Sequence, residues 1–203
     1  MKRTGTRRTS CVILAAGDFP KRGGLAWQAL ERATVVVCCD HAADAYRRRF
    51  HTEPTVVVGD CDSVKGMFAE TVEIAEQETN DLEKAIRHCR ERGWTNPLII
   101  GATGKREDHA IGNVFRALAH RLDILTDYGR FHAVDAKAVF RVKKGTPISI
   151  FAPNPRTRMT STGLEWPLDG VRFENLYCAT LNRASASRVA LTTTEPVYVY
   201  IAQ

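Results

Sequence analysis

Apolar residues in the first two thirds of the chain come in short unbroken runs, each followed by a stretch whose apolar positions recur every three or four residues. The runs SCVILAAG (10–17), TVVVCCD (34–40), TVVVGD (55–60) and PLIIGA (97–102) predict strands. The stretches GGLAWQALERA (23–33), AADAYRRRF (42–50), NDLEKAIRHCRERG (80–93) and EDHAIGNVFRALAHR (107–121) predict helices. Strands apolar at every position need cover on both faces, and alternating helices supply it, so an α/β domain with a Rossmann-like parallel sheet is expected. Further on the rhythm changes. RLDILTDYGRFHAV, KAVFRVKKGTPISIFAP, GLEWPLDGVRF and VALTTTEPVYVYIAQ are β-type runs broken by Gly, Pro and Asn. They predict a small all-β domain, an antiparallel sandwich or barrel. The expected division is 1–132 for the α/β domain and 133–203 for the β domain.

Composition adds limits to this picture. With 203 residues, 44% of them hydrophobic, a sizeable core is affordable. No run approaches the roughly 18–20 apolar residues of a membrane span, and the apolar stretch after MKRTGTRRTS is too short for a secretory signal. A cytoplasmic protein with no membrane partner is therefore expected. Six cysteines at 11, 38, 39, 61, 89 and 178 form no C-x-x-C pair and mostly sit in apolar runs, which reads as buried reduced thiols. The net charge of +6 favours anions of many kinds, and much of the excess lies in KRTGTRR and in YRRRF (46–50). No aromatic residues alternate with these cations, so they read as a solvated tail and a solvated helix face, and no nucleic-acid partner is expected.

Candidate chemistry gathers where predicted strands end, the place where open parallel sheets bind ligands. Asp60 and Asp62 follow the TVVV run two residues apart, so in an extended chain both carboxylates face one side. Their repulsion calls for a cation, and hard oxygen ligands suit Mg2+; as turn residues capping the next helix they have an equally ordinary reading. In QETNDLEKA (77–85), Thr79 or Asn80 can cap a helix whose first turn carries Asp81 and Lys84 on one face. That pair serves either a metal and a phosphate or a surface ion pair. GATGKREDHAIGN (101–113) offers Gly101 and Gly104 for tight turns, Lys105 and Arg106 for charge, and Asp108. It is neither a Walker A loop nor a G-x-G-x-x-G fingerprint. Each loop alone is a weak signal, and three in series, each with an aspartate, are a stronger one.

Taken together these residues resemble thiamine pyrophosphokinase, a family with a G-D-x-D-S strand end, a T-D-x-x-K helix start and a G-G-R-x-D-H loop in this order. Here they stand as Gly59 to Ser63, Asn80 to Lys84 and Gly104 to His109. ILAAGDFP (13–20) is similar to the family's first glycine-rich turn and VVCCDHAA (36–43) to its D-G-G-A segment. TGLEWPL (162–168) and TLN (180–182) are similar to its thiamine-side motifs. His41 replaces a glycine, Lys105 replaces the middle glycine of G-G-R, Asn80 replaces threonine, and Leu181 stands where serine is common.

The resemblance implies Mg2+-dependent transfer of the β,γ-pyrophosphoryl group of ATP to the hydroxyl of thiamine, giving thiamine diphosphate and AMP. Such chemistry asks for positioning and charge neutralisation rather than a covalent nucleophile. It implies that Asp60, Asp62, Asp81 and Asp108 bind the metal and that Lys84 and Arg106 steady the triphosphate. Gly17, Asp18, Asp40, Ser63, Gln77, Asn80, Gly104 and His109 are expected on the nucleotide side, with His109 an orienting or capping residue rather than a base. Trp166, Thr180 and Asn182 are expected on the thiamine side, the Trp166 face suiting a flat cation, although a core tryptophan reads as well. A homodimer with active sites at the interface is implied too. Two other classes compete: a nucleotide-sugar transferase with a D-x-D metal site, and a non-catalytic nucleotide- or RNA-binding module.

Overall fold

The computed structural model describes residues 10–60, 67–76 and 78–203. Asp62, Ser63 and Gln77, and the basic segment before Ser10, lie outside the described residues. The chain divides into two compact units, Met1–Asn113 and Val114–Gln203.

In the first unit five strands run parallel: β1 (Cys11–Leu14), β2 (Val35–Cys39), β3 (Val56–Gly59), β4 (Thr71–Glu73) and β5 (Leu98–Ile100). Their order is β5-β1-β2-β3-β4. Every residue of β1, β2 and β3 is buried, as apolar runs of β-branched residues require in a sheet covered on both faces. Helices α1 (Leu25–Arg32), α2 (Ala42–Phe50) and α3 (Asp81–Glu91) come between them. Leu82, Ala85, Ile86 and Cys89 form the buried stripe of α3, which packs over β1, β2 and β3. Burying side chains such as Leu82 and Ile86 stabilises the unit by roughly 1.5–3 kcal/mol each. The short β4, with exposed Thr71 and Glu73, was not predicted, because three residues with one half-buried position carry no readable period.

The cysteines match their apolar settings: Cys11, Cys38, Cys39 and Cys89 are buried free thiols, and only Cys178 among those described is exposed. Two of the YRRRF cations are engaged locally. Arg47 pairs with Asp44 at 3.2 Å and lies over the Phe68 ring, and Arg49 lies over Phe19.

Helix α4 (Glu107–Ala119) runs from the end of the first unit into the second. Beyond it the described elements are all strands: β6 (Ile124–Leu125), β7 (Gly129–Val134), β8 (Lys137–Arg141), β9 (Pro147–Phe151), β10 (Met159–Thr162), β11 (Ala179–Arg183), β12 (Arg188–Thr193) and β13 (Val197–Ala202). They form antiparallel pairs in the orders β11-β9-β13-β7-β6 and β10-β12-β8. One core takes Ile148, Ile150, Val197 and Val199 from the first set and Val189 and Leu191 from the second, which is the sandwich the turn-broken runs predict.

His88, on the last turn of α3, is buried, and its Nε2 has no hydrogen-bond partner among the described residues. Burial first, and the Arg92 charge second, depress its pKa. The folded chain therefore holds it neutral while the unfolded chain protonates it near pH 6.5, so stability is full above that pH and falls as pH drops through it. Melting temperatures measured from pH 7.5 to 5 should decline more steeply in the wild type than in His88→Leu; parallel declines would assign the acid sensitivity to other groups.

Candidate active site

Three chain segments of the first unit meet around Gly59. Asp40 follows β2, Asp60 follows β3, and Asp81 opens α3. A Cβ placed on Gly59 would lie 3.0 Å from the Asp40 Cβ and 3.4 Å from Asp81 Oδ1. Glycine is what lets the two acids approach. Asp40 is buried at φ 32°, its carbonyl accepting from the Ala43 N–H at the start of α2. Lys84, one turn after Asp81, is 2% exposed, with its Nζ 3.7 Å from Asp81 Oδ1.

The electrostatics tie this group together. Burial raises the Asp81 pKa; the Lys84 ammonium opposes that rise, and the charges of Asp40 and Asp60 add to it. Asp81 and Asp40 also help burial push the Cys39 thiol up. The Asp81 carboxylate thus feels two like charges and one ammonium, an excess of negative charge that favours a cation. Oxygen donors of this kind fit a hard divalent ion. Even so, no three His, Cys, Asp or Glu side chains among the described residues converge as a ready-made metal cage.

Asn80 caps α3: its Oδ1 accepts from the Glu83 N–H at 3.1 Å, while its Nδ2 donates to Asn113 Oδ1 at 2.9 Å. Asn113 in turn donates to the Ala102 carbonyl. The two amides hold the start of α3 and the loop after β5 in register. Asn113 was missed in the sequence because nothing there pairs it with Asn80 thirty-three positions earlier. Glu76 was missed as well. It accepts from the backbone N–H groups of Glu78 and Thr79, from the Thr79 hydroxyl, and from Arg87 Nη2 at 2.5 Å. The Thr79 and Arg87 bonds draw its pKa down to about 2.

The glycine-rich loops dock on one another. Gly17 N–H donates to the Gly101 carbonyl at 2.7 Å and Asp18 N–H to the Thr103 carbonyl at 2.8 Å. A Cβ on Gly17 would sit 2.3 Å from the Thr103 oxygen, and one on Gly104, at φ 83°, would sit 2.1 Å from Asp18 Oδ2. Lys105, in a glycine's place, adopts φ 58°, and its Nζ donates to the Ala16 carbonyl at 2.8 Å. Arg106 grips Asp108 with two bonds, Nε to Oδ1 at 3.1 Å and Nη2 to Oδ2 at 2.6 Å. Both are exposed, and the guanidinium contact lowers the Asp108 carboxyl to about 2. The Asp108 side chain is thus turned to Arg106, and the charges that reach it are those of Arg106 and His109. His109 is exposed at the start of α4, and His41 is exposed at the start of α2.

In the second unit a groove of about 310 Å³ is lined by Trp166, Pro167, Val171, Thr180, Leu181 and Asn182, among others. Trp166 is half exposed, not a core residue. Asn182 is buried and clasps its backbone from both sides, accepting from the Trp166 N–H at 3.2 Å and donating to its carbonyl at 2.7 Å. Arg183 lies over the indole and pairs with Glu165 at 2.9 Å. Thr180 Oγ donates to the Tyr177 carbonyl. Between Ala179 and Asn182 the register of β11 against β9 slips by one residue, a bulge that leaves Leu181 at φ 62° and 86% exposed. For a leucine that conformation costs on the order of 1–2 kcal/mol.

Comparison with known proteins accords with this geometry. Residues 26–125 match the model of the thiamin pyrophosphokinase catalytic domain and residues 129–200 that of its substrate-binding domain. Thiamine pyrophosphokinase 1 of Oryza sativa subsp. japonica is 26% identical over 196 residues, covering 78% of this chain and 73% of that protein. Among solved structures, yeast thiamin pyrophosphokinase superposes with a TM-score of 0.76 at 12% identity, covering 98% of this chain and 87% of that one. The Bacillus subtilis enzyme gives 0.72 at 18%, covering 96% and 99%. These structures share the fold, and the two domain matches, end to end across most of the sequence, show that the chain belongs to the thiamin pyrophosphokinase family and has its activity, the pyrophosphorylation of thiamine with ATP.

Proposed function

We propose that the acidic group around Gly59 is the metal and triphosphate site of this enzyme and that the groove beside Trp166 receives thiamine. The observation that carries the first assignment is the approach of Asp40 and Asp60 to Asp81, the carboxylate paired with buried Lys84. Asp60, Asp62 and Asp81 would hold Mg2+, which when bound would neutralise polyphosphate charge as the β,γ-pyrophosphoryl group leaves the α-phosphate oxygen of AMP for the hydroxyl oxygen of thiamine. Asp108 completes that set once Arg106 turns from it to the triphosphate. Lys84 is held within the acid group and supplies a fixed positive charge toward the same oxygens. The interlocked loops of Gly17, Asp18 and Gly104 form the nucleotide side, to which motif order also assigns Ser63, Gln77 and His109, and Asn80 positions the helix that carries Asp81 and Lys84. In the groove the Trp166 face stacks on the flat thiamine cation, and Asn182 keeps that indole in place, with Thr180 forming the adjoining wall. A cytoplasmic homodimer with active sites at the subunit interface completes the reading. No helix among the described residues is long and apolar enough to cross a membrane.

Asp81→Asn should lower AMP formation from ATP, Mg2+ and thiamine by on the order of 100-fold or more while melting within a few degrees of wild type. Near-normal turnover would remove Asp81 from the site. Gly59→Ala should lose activity on a similar scale, about 100-fold, because the new methyl forces Asp40 and Asp81 apart.

Trp166→Ala should raise the thiamine KM about tenfold and leave the ATP KM alone. In Asn182→Ala the same selective rise should come with a lower melting temperature, since a buried amide and its bonds are lost. An equal rise in both KM values would make the tryptophan a packing residue.

A further inference from the structure

Leu181 is unfavourably placed in two respects. Its backbone sits in the left-handed region at φ 62°, where glycine or asparagine is at ease, and its side chain is 86% exposed. The bulge of β11 produces both features. Ala179 pairs with Ile150 and Asn182 with Ile148, so three steps on β11 span two on β9, and the extra residue is pushed out of the ladder. Only one further tie is formed there, a long Leu181 N–H bond to Ser149 Oγ at 3.4 Å. Bulges re-aim side chains, and this one directs an aliphatic side chain to the groove that Trp166 and Pro167 also line. The polar groups alongside are already committed: the Asn182 amide to the Trp166 and Arg183 backbone, the Thr180 hydroxyl to the Tyr177 carbonyl. Leu181, with Trp166, Pro167 and Val171, supplies apolar surface to meet a ligand there.

We infer that Leu181 is a substrate-binding determinant: its side chain, projected by the bulge, packs on the rings of thiamine and sets part of the enzyme's affinity for them. The inference rests on the assignment of the groove to thiamine. It explains why a strained leucine occupies a position where serine is common in the family: burial against the ring returns on binding what the free chain forgoes.

The test uses full-length wild type, Leu181→Ser and Leu181→Gly, with KM values from AMP formation, thiamine Kd from quenching of tryptophan fluorescence, and melting temperature. Both variants should raise the thiamine KM and Kd about tenfold and leave the ATP KM within twofold of wild type. Leu181→Gly should melt no lower than wild type, since glycine accepts this φ without strain. Unchanged thiamine constants in both variants, with normal thiamine binding by the wild type, would overturn this inference alone. A wild-type chain that binds ATP and no thiamine would overturn the assignment of the groove and this inference with it. Weakening seen only as the variants fall apart into smaller species by sedimentation would make Leu181 an interface residue instead.

Discussion

The first unit turns on a charge imbalance that the fold creates and then leaves open. One ammonium, Lys84, is buried 3.7 Å from Asp81, and Asp40 and Asp60 press on the same carboxylate. A buried lysine needs an acid partner, since stranding either charge costs several kcal/mol. Two further acids exceed that need. An excess carboxylate in a desolvated setting has two remedies, a proton or a metal ion, and burial with the Asp40 and Asp60 charges raises the Asp81 pKa against the pull of Lys84. A divalent cation carrying a polyphosphate is the second, which makes the architecture itself an argument for the ligand.

Backbone geometry maintains that imbalance. Parallel strands bring the ends of β2 and β3 side by side, a glycine at the end of β3 removes a side chain that would press on both Asp40 and Asp81, and the Asn80 cap fixes where α3 begins. Behind them the Asn80–Asn113–Ala102 relay ties α3 to the loop that carries Lys105 and Arg106. Asn80 thus serves the site by bonding to protein. A threonine there can accept from the Glu83 N–H as asparagine does, yet it has no amide to give Asn113.

What could be read from the sequence follows from how local each signal is. The strands and helices around the carboxylates were legible because continuous apolar runs and three-and-four spacing are set by neighbours in sequence, and the sandwich was legible from its regular turn residues. Asp81 and Lys84 were paired by spacing, since positions three apart on a helix share a side, and they lie 3.7 Å apart; the spacing that pairs Asp60 with Asp62 reaches outside the described residues. Glu76 escaped because its acceptors are filled by a turn and by Arg87 eleven positions on, and Asn113 because its partners are thirty-three and eleven positions away. Asp108 was grouped with the other aspartates by motif order, while in the folded chain its carboxylate faces Arg106 two residues earlier, a contact that order alone does not show. The bulge at Leu181 is the furthest from legible: it arises from register against β9, some thirty residues earlier in the chain.

The two candidate sites use opposite physics, and the difference bears on what each can discriminate. Around Gly59 the energy lies in charge, which is long in range, so on the proposed assignment any polyphosphate with its metal would be attracted and nucleotide selectivity would fall to the docked loops of Gly17 and Gly104. Around Trp166 the polar side chains are spent on holding the protein together, and recognition falls to surfaces in van der Waals contact. Such a groove senses shape more than charge and separates ligands by small steps, a methylene at a time. On the proposed assignment, a flat cation of defined outline is selected in the groove by fit, and the pyrophosphoryl donor at the acid group by charge.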